Sequence, residues 1–266
     1  MSISRGLLLS LLLSFALTTF AETHNYAFTV QEQAANRLCK NHRIVNVNGQ
    51  FPGPTVEVQN GDSVAVKVTN ASPYNVTIHW HGLRQLRNPW ADGTEFVTQC
   101  PIRPGGSYTY KFTIQDQEGT LWWHAHSRWL RATVYGALVI RPKPGSSYPF
   151  PTPKVEFPVI LGEWWDRKVI SVLRQALFSG AAPNISDAIT INGQPGDLFR
   201  CSSQEGFVSG GFRYDWVTIM DEIAGGGEWW CSGGVAHCYG VKRVILSERN
   251  KNDLIEVPSA VLGNLE

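Results

Sequence analysis

Charge of one sign is scarce in this chain of 266 residues: 23 Lys and Arg stand against 22 Asp and Glu, a formal net charge of +1, without long runs of either sign. That balance argues against an electrostatic grip on nucleic acid or anionic lipid, and it suits a small uncharged substrate. A bilayer-spanning apolar run is missing as well. The one candidate, Gly6 to Leu17 behind Arg5, is too short and wrongly flanked for a stable span. Cysteine is sparse, five residues in all, and the odd count leaves at least one without a partner inside the chain. What remains is 43% hydrophobic and 11% aromatic, enough to bury an ordinary globular core in one or two domains.

The amino terminus reads as a targeting device. Thr19-Phe20-Ala21 places small residues where a signal peptidase cuts, so residues 1–21 are expected to be a cleaved secretory signal. The mature chain then starts near Glu22 in an oxidising, extracellular compartment. There Asn70-Ala-Ser, Asn75-Val-Thr and Asn184-Ile-Ser are candidate glycosylation acceptors.

Residues 22–142 read as all-β. Runs such as "HRIVNVNG", "PTVEVQ", "SVAVKVTN", "NVTIHWHG", "SYTYKFTI" and "ATVYGALVI" are parted by Gly, Pro, Asn and Asp clusters, the pattern of a sandwich or Greek-key barrel. Residues 143–158 are rich in proline and read as a linker, too donor-poor for a central strand. The stretch 159–203 begins a second unit: a strand in "VILGEWW", then a helix from about Asp166, its N-cap, to Ser179, stopped by Gly180. Residues 204–266 show glycine pairs and triplets with no sustained period, and no fold is assigned to them.

Chemistry concentrates in two His-x-His pairs. "TIHWHGL" sets His79 and His81 on one face of a strand and Trp80 on the other, and "LWWHAHSRWLRATVYGALVI" does the same for His124 and His126 inside an otherwise apolar strand. Two strand rises part such imidazoles by roughly 6.6 Å at the backbone, so a pair can serve two neighbouring metal ions. A single pair in an apolar strand usually just satisfies a local hydrogen bond. Two pairs set among tryptophans are harder to dismiss, because burying four imidazoles without a ligand is costly. Imidazole accepts zinc, copper, iron or nickel, and the spacing does not choose among them.

"NGQFPGPT", "IHWHGLRQLRNPWADGTEFVTQCPIRPGGSYTYKF", "GTLWWHAH" and "WLRATVYGALVI" resemble the first cupredoxin domain of plant laccases, a family of secreted blue multicopper oxidases, over about His24 to Ser203. The resemblance implies an all-β, cupredoxin-like Greek-key β-sandwich of plastocyanin type, followed by the incomplete start of a second. It implies copper as cofactor, with His79 on the type 2 ion and His81, His124 and His126 on the type 3 pair. Asp92 in "WADG" matches a carboxylate thought to steer protons near the cluster, although Asp-Gly also commonly just makes a turn. Cys39 would bridge to Cys201, and Cys100 matches a cysteine that bridges to a further domain. The expected substrates are a small phenol and dioxygen, the expected site of action the apoplast or cell wall, and the expected role lignin or phenolic metabolism. Ser127 and Arg128 depart from the apolar residues usual in the family, which puts the local packing in question.

The family's remaining motifs, His-Pro-x-His-x-His and His-Cys-His-x-x-x-His, do not occur. His237-Cys238 resembles the second only superficially, since Tyr239 stands where the next histidine belongs. The change of character after Ser203 is read as a truncated or mis-spliced product, or a faulty gene model. The chain is therefore expected to be inactive by itself, lacking the type 1 site and half the trinuclear cluster. The alternative is a non-catalytic secreted module that binds copper or zinc.

Overall fold

A computed structural model describes residues 22–127, 129–146, 155–195, 230–231, 238–246 and 254–256. The expected signal, Cys201 and Arg128 lie outside the described residues. The first unit contains β1 (Thr23–Arg37), β2 (Lys40–Val47), β3 (Val56–Gln59), β4 (Ser63–Asn70), β5 (Ile78–His81), β6 (Ser107–Thr113), β7 (Gly119–Ala125) and β8 (Tyr135–Arg141). They form two four-stranded sheets, ordered β2-β1-β4-β6 and β3-β8-β7-β5.

Period-2 alternation builds both sheets. In β4 and β6, Val64, Val66, Val68, Tyr110 and Phe112 are buried while their neighbours in sequence face outward. From the other sheet come Val56, Val58, Ile78, Trp80, Trp123, Leu138 and Ile140, and a single apolar cluster joins the two faces. Phe28 sits between the large rings, its centroid 4.6 Å from Trp123 and 6.5 Å from Trp80. β1 is long enough to serve two partners, running parallel to β4 through Val30 and antiparallel to β2 from there on. Its sequence carries a weak strand signal, because only Phe28 and Val30 of its 15 residues are buried.

The apolar stretch 121–140 is not one strand. It folds back as β7 and β8 through a 3-10 turn at Leu130–Ala132, with Trp129 in the left-handed region at φ 52°. β7 and β8 then pair antiparallel, His124 opposite Tyr135. Reversal buries both halves against the same core, which a continuous strand could not do.

The second unit contains β9 (Val155–Trp164), α1 (Val169–Ser179) and β10 (Ala188–Ile191). β9 begins inside the stretch read as linker, and Pro158 lies within it. The helix starts three residues later than expected, with Lys168 as N-cap, and ends at Gly180 in the left-handed conformation. Asp166 does not cap it because its carboxylate is engaged elsewhere: Lys40 and His42 of β2 both bond to it. In the stretch left without a fold, β11 (Trp230–Cys231), β12 (Cys238–Leu246) and β13 (Leu254–Glu256) are strands, and β12 pairs along β9. The short β-branched run "VKRVIL" was the available signal, diluted by glycines on its amino-terminal side.

Candidate metal centre

β5 is an edge strand of its sheet, and the edge is where the histidines gather. Ile78 and Trp80 point into the core, which turns His79 and His81 to the opposite face. β7 pairs with β5 so that His79 lies opposite His124, and His81 opposite Trp122. Beyond the end of β7, the His126 N–H donates to the Thr77 carbonyl at 3.0 Å, keeping the chain beside β5 for one more step. Ser127 resolves the question of packing raised by its polarity. It is buried, and its Oγ accepts the Thr77 N–H at 2.9 Å.

Four imidazoles therefore meet at one edge. Ring centroids of His79 lie 5.5 Å from His81, 5.3 Å from His124 and 5.6 Å from His126. One ring nitrogen from each of His79, His81 and His124 lies within 4.8 Å of the other two, close enough for ions bonded at ~2.0–2.1 Å to link neighbouring rings. His126 stands at the exposed rim.

Hydrogen bonds assign the ring nitrogens. His79 donates from Nδ1 to the Asp92 carbonyl at 2.7 Å, and His124 donates from Nδ1 to the Ala125 carbonyl at 3.0 Å. Each leaves Nε2 as a lone-pair donor, the tautomer a metal requires. His124 Nε2 faces His81 Nδ1 at 3.3 Å, so these atoms share one proton or one cation. Burial pushes the His81 imidazole down to about 4, with His79 adding to the effect. Burial likewise holds His124 well below its ordinary value, and partial desolvation lowers His126. Rings kept neutral near pH 7 are competent ligands for a soft-to-borderline cation such as copper.

Asp92 both makes the turn and reaches the site. It follows a 3-10 turn at Pro89–Ala91, and Gly93 takes φ +81° so close to β5 that a Cβ there would lie 1.8 Å from the Ile78 carbonyl oxygen. That approach brings the Asp92 carbonyl to His79. The carboxylate sits 3.5 Å from His79 Nδ1 through Oδ1, and its Oδ2 accepts from Thr94 Oγ1 at 2.6 Å. Thr94 was not singled out from sequence, though its place after Asp-Gly marks it. Trp122, inside the "GTLWWHAH" run, walls the site with its ring 4.2 Å from His124 and 5.3 Å from His81.

The other expected residues fall elsewhere. Cys39 is in a disulfide, and Cys201 lies outside the described residues; Cys100 is exposed and free. Asn70 is a correction. It is fully buried and its Nδ2 donates to the carbonyls of Tyr74 at 2.7 Å and Ile102 at 2.8 Å, so this fold has no room for a glycan there. Asn75 and Asn184 are exposed.

Two family models described as multicopper oxidase match residues 29–145 and 156–220, the second reaching past Ser203. The chain is 63% identical over 194 residues to laccase-3 of Arabidopsis thaliana, covering 73% of this chain and 34% of that protein. To Arabidopsis thaliana laccase-13 it is 67% identical over 187 residues, covering 70% and 33%, and to laccase-3 of Oryza sativa subsp. japonica 65% over 190 residues, covering 71% and 34%. It thus spans about a third of the length of these curated relatives. Among solved structures, Fet3p, a multicopper oxidase that functions in iron import, superposes with a TM-score of 0.59 at 30% identity, covering 65% of this chain and 33% of that one. The laccase of Botrytis aclada gives 0.56 at 30%, covering 67% and 32%. An all-β, cupredoxin-like sandwich, an edge cluster of imidazoles suited to copper and these matches lead to one assignment: the chain belongs to the multicopper oxidase family and is similar to the N-terminal portion of plant laccases.

Proposed function

We propose that this chain contributes half of a copper cluster to a laccase-type oxidase, which takes electrons from phenolic substrates and reduces dioxygen to water. The observation that carries the reading is the convergence of His79, His81 and His124 on one open sheet edge, with His126 at the rim. In the family's arrangement His79 would hold the type 2 copper, and His81, His124 and His126 the type 3 pair. Bound copper supplies reversible one-electron chemistry and a place for dioxygen. The chain's own residues do the rest. The Asp92 and Ala125 carbonyls fix two imidazole tautomers, Trp122 limits water on one side, and the Asp92 carboxylate, steadied by Thr94, sits beside His79 where it can relay protons.

Turnover needs more ligands than these four, and the motifs that carry them in the family are not in this sequence. By itself the chain is inactive in this reading. Secretion to the cell wall, with phenolic or lignin metabolism as the setting, rests on residues 1–21, and exposure of Asn75 and Asn184 supports glycans at those two positions. A disulfide between Cys39 and Cys201 belongs to the same reading.

A second reading is a non-catalytic copper- or zinc-binding module, favoured by three ligand atoms lying within 4.8 Å of one another. One experiment separates the two. Copper and zinc content is measured on this chain alone, and oxygen consumption with a simple phenol on the chain fused to the remainder of a plant laccase, which supplies the ligands this chain lacks, each alongside His79→Ala and His124→Ala. Turnover of the fusion that both substitutions abolish supports the oxidase. Metal held by the chain and lost in the same variants, without turnover of the fusion, supports the module, and absence of both metal and turnover defeats both.

A further inference from the structure

The outward face of β1, β4 and β6 is an ordered array of polar side chains. Register places Thr23, Ser63 and Thr113 in one row across the three strands, Asn25, Ala65 and Lys111 in the next, and Ala27, Lys67 and Thr109 in a third. Their sequence neighbours on the other face are mostly core residues, so these side chains project to solvent together. Ser63 Oγ and Thr113 Oγ1 are joined at 2.9 Å. The face carries hydroxyls, an amide and two lysines, and no carboxylate.

Beside it the loop 82–88 rises to make a groove of about 460 Å³, lined by Arg84, Gln85, Leu86 and Asn88 on one side and by the first two rows on the other. None of the lining residues is acidic. The wall is pinned: Gln117 accepts the Arg84 N–H at 2.6 Å and donates to the Gly82 carbonyl at 2.8 Å, while Asn88 Nδ2 donates to the Lys111 carbonyl at 2.7 Å.

We propose that this groove and the adjoining sheet face bind an acidic polysaccharide, a chain of uronate sugars. The row hydroxyls of Thr23, Ser63, Thr113 and Thr109 and the Asn25 amide match the hydroxyls of successive sugar rings, and Arg84, Lys111 and Lys67 match carboxylates spaced along the chain. Three rows extend over roughly 13 Å, more than a single small anion would use. Three cations on a protein of net charge +1 are too few for the dense phosphates of nucleic acid.

The test is affinity electrophoresis of the full chain through gels containing sodium polygalacturonate or, in parallel, a neutral cellulose derivative. Retardation by polygalacturonate alone is expected, weakening as salt rises. Joint Arg84→Glu and Lys111→Glu substitution should reduce the affinity about tenfold or more, because it reverses the two charges of the groove. Arg174→Glu, on the exposed face of α1, should leave it unchanged, and circular dichroism checks that all variants fold. Equal retardation by the neutral polymer, none by polygalacturonate, or binding that survives the double reversal would overturn the proposal. Metal content and oxygen consumption are not involved, so the outcome is independent of the oxidase reading.

Discussion

At the scale of single residues, the site is governed by which ring nitrogen each histidine can offer. His79 and His124 both spend Nδ1 on a backbone carbonyl, so replacing either with alanine removes a pre-oriented Nε2 ligand. Each substitution should weaken copper retention by about tenfold or more, measured by competition with a chromophoric chelator, with little change in the far-ultraviolet spectrum. Gly93 is more demanding. A Cβ would lie 1.8 Å from a β5 carbonyl, so Gly93→Ala should push the Asp92 turn away from His79 and lower both the unfolding midpoint and metal affinity. Asp166 shows the reverse case, a residue whose role is electrostatic and structural. Desolvation raises its carboxyl, but the bonds from Lys40 and His42 outweigh this and the net shift is downward from 3.8. A lowered carboxylate stabilises the fold fully above its ordinary value and loses that contribution as the pH falls toward the lowered one. Asp166→Asn should therefore be less stable than the parent near neutral pH, and the gap, read as the urea midpoint, should close as the pH drops below 3.8.

Elements position the site by what they bury on the opposite side. Trp123 is wholly buried, its Nε1 donates to the Pro54 carbonyl at 3.0 Å, and a Cβ on Gly136 would meet its ring at 2.6 Å. This contact fixes the rotation of β7, and with it the face on which His124 emerges. Trp123→Ala should cost about 3–5 kcal/mol in unfolding free energy, and the cavity should loosen the histidine side as well. The alternation of Ile78, His79, Trp80 and His81 was legible in the sequence, because strand geometry leaves a residue no choice of side. The fold-back within 121–140 was not. No glycine or proline stands between His126 and Val134, where the chain reverses, and the turn depends on Trp129 accepting a left-handed conformation and packing at 5.4 Å on Trp165 of the second unit.

On the scale of the whole molecule, the two units are held by contacts distant in sequence. Arg37 donates from Nε to the Gly193 carbonyl at 2.6 Å, and β2 reaches Asp166 through Lys40 and His42. Cys39, at the turn between β1 and β2, is in a disulfide, and Cys39→Ser should lower stability by roughly 2–5 kcal/mol in denaturant. Strand-forming runs, the separation of histidine faces from tryptophan faces and the resemblance to multicopper oxidases were all set by the linear order of residues, since periodicity and motif spacing are local properties. Which strands became neighbours was not local. Pairing of β5 with β7, across more than thirty intervening residues, is what turns two ordinary His-x-His pairs into one cluster, and the same long-range packing buried Asn70 and drew Asp166 away from its helix. Burial and pairing depend on the chain as a whole, so only the tertiary structure decided them.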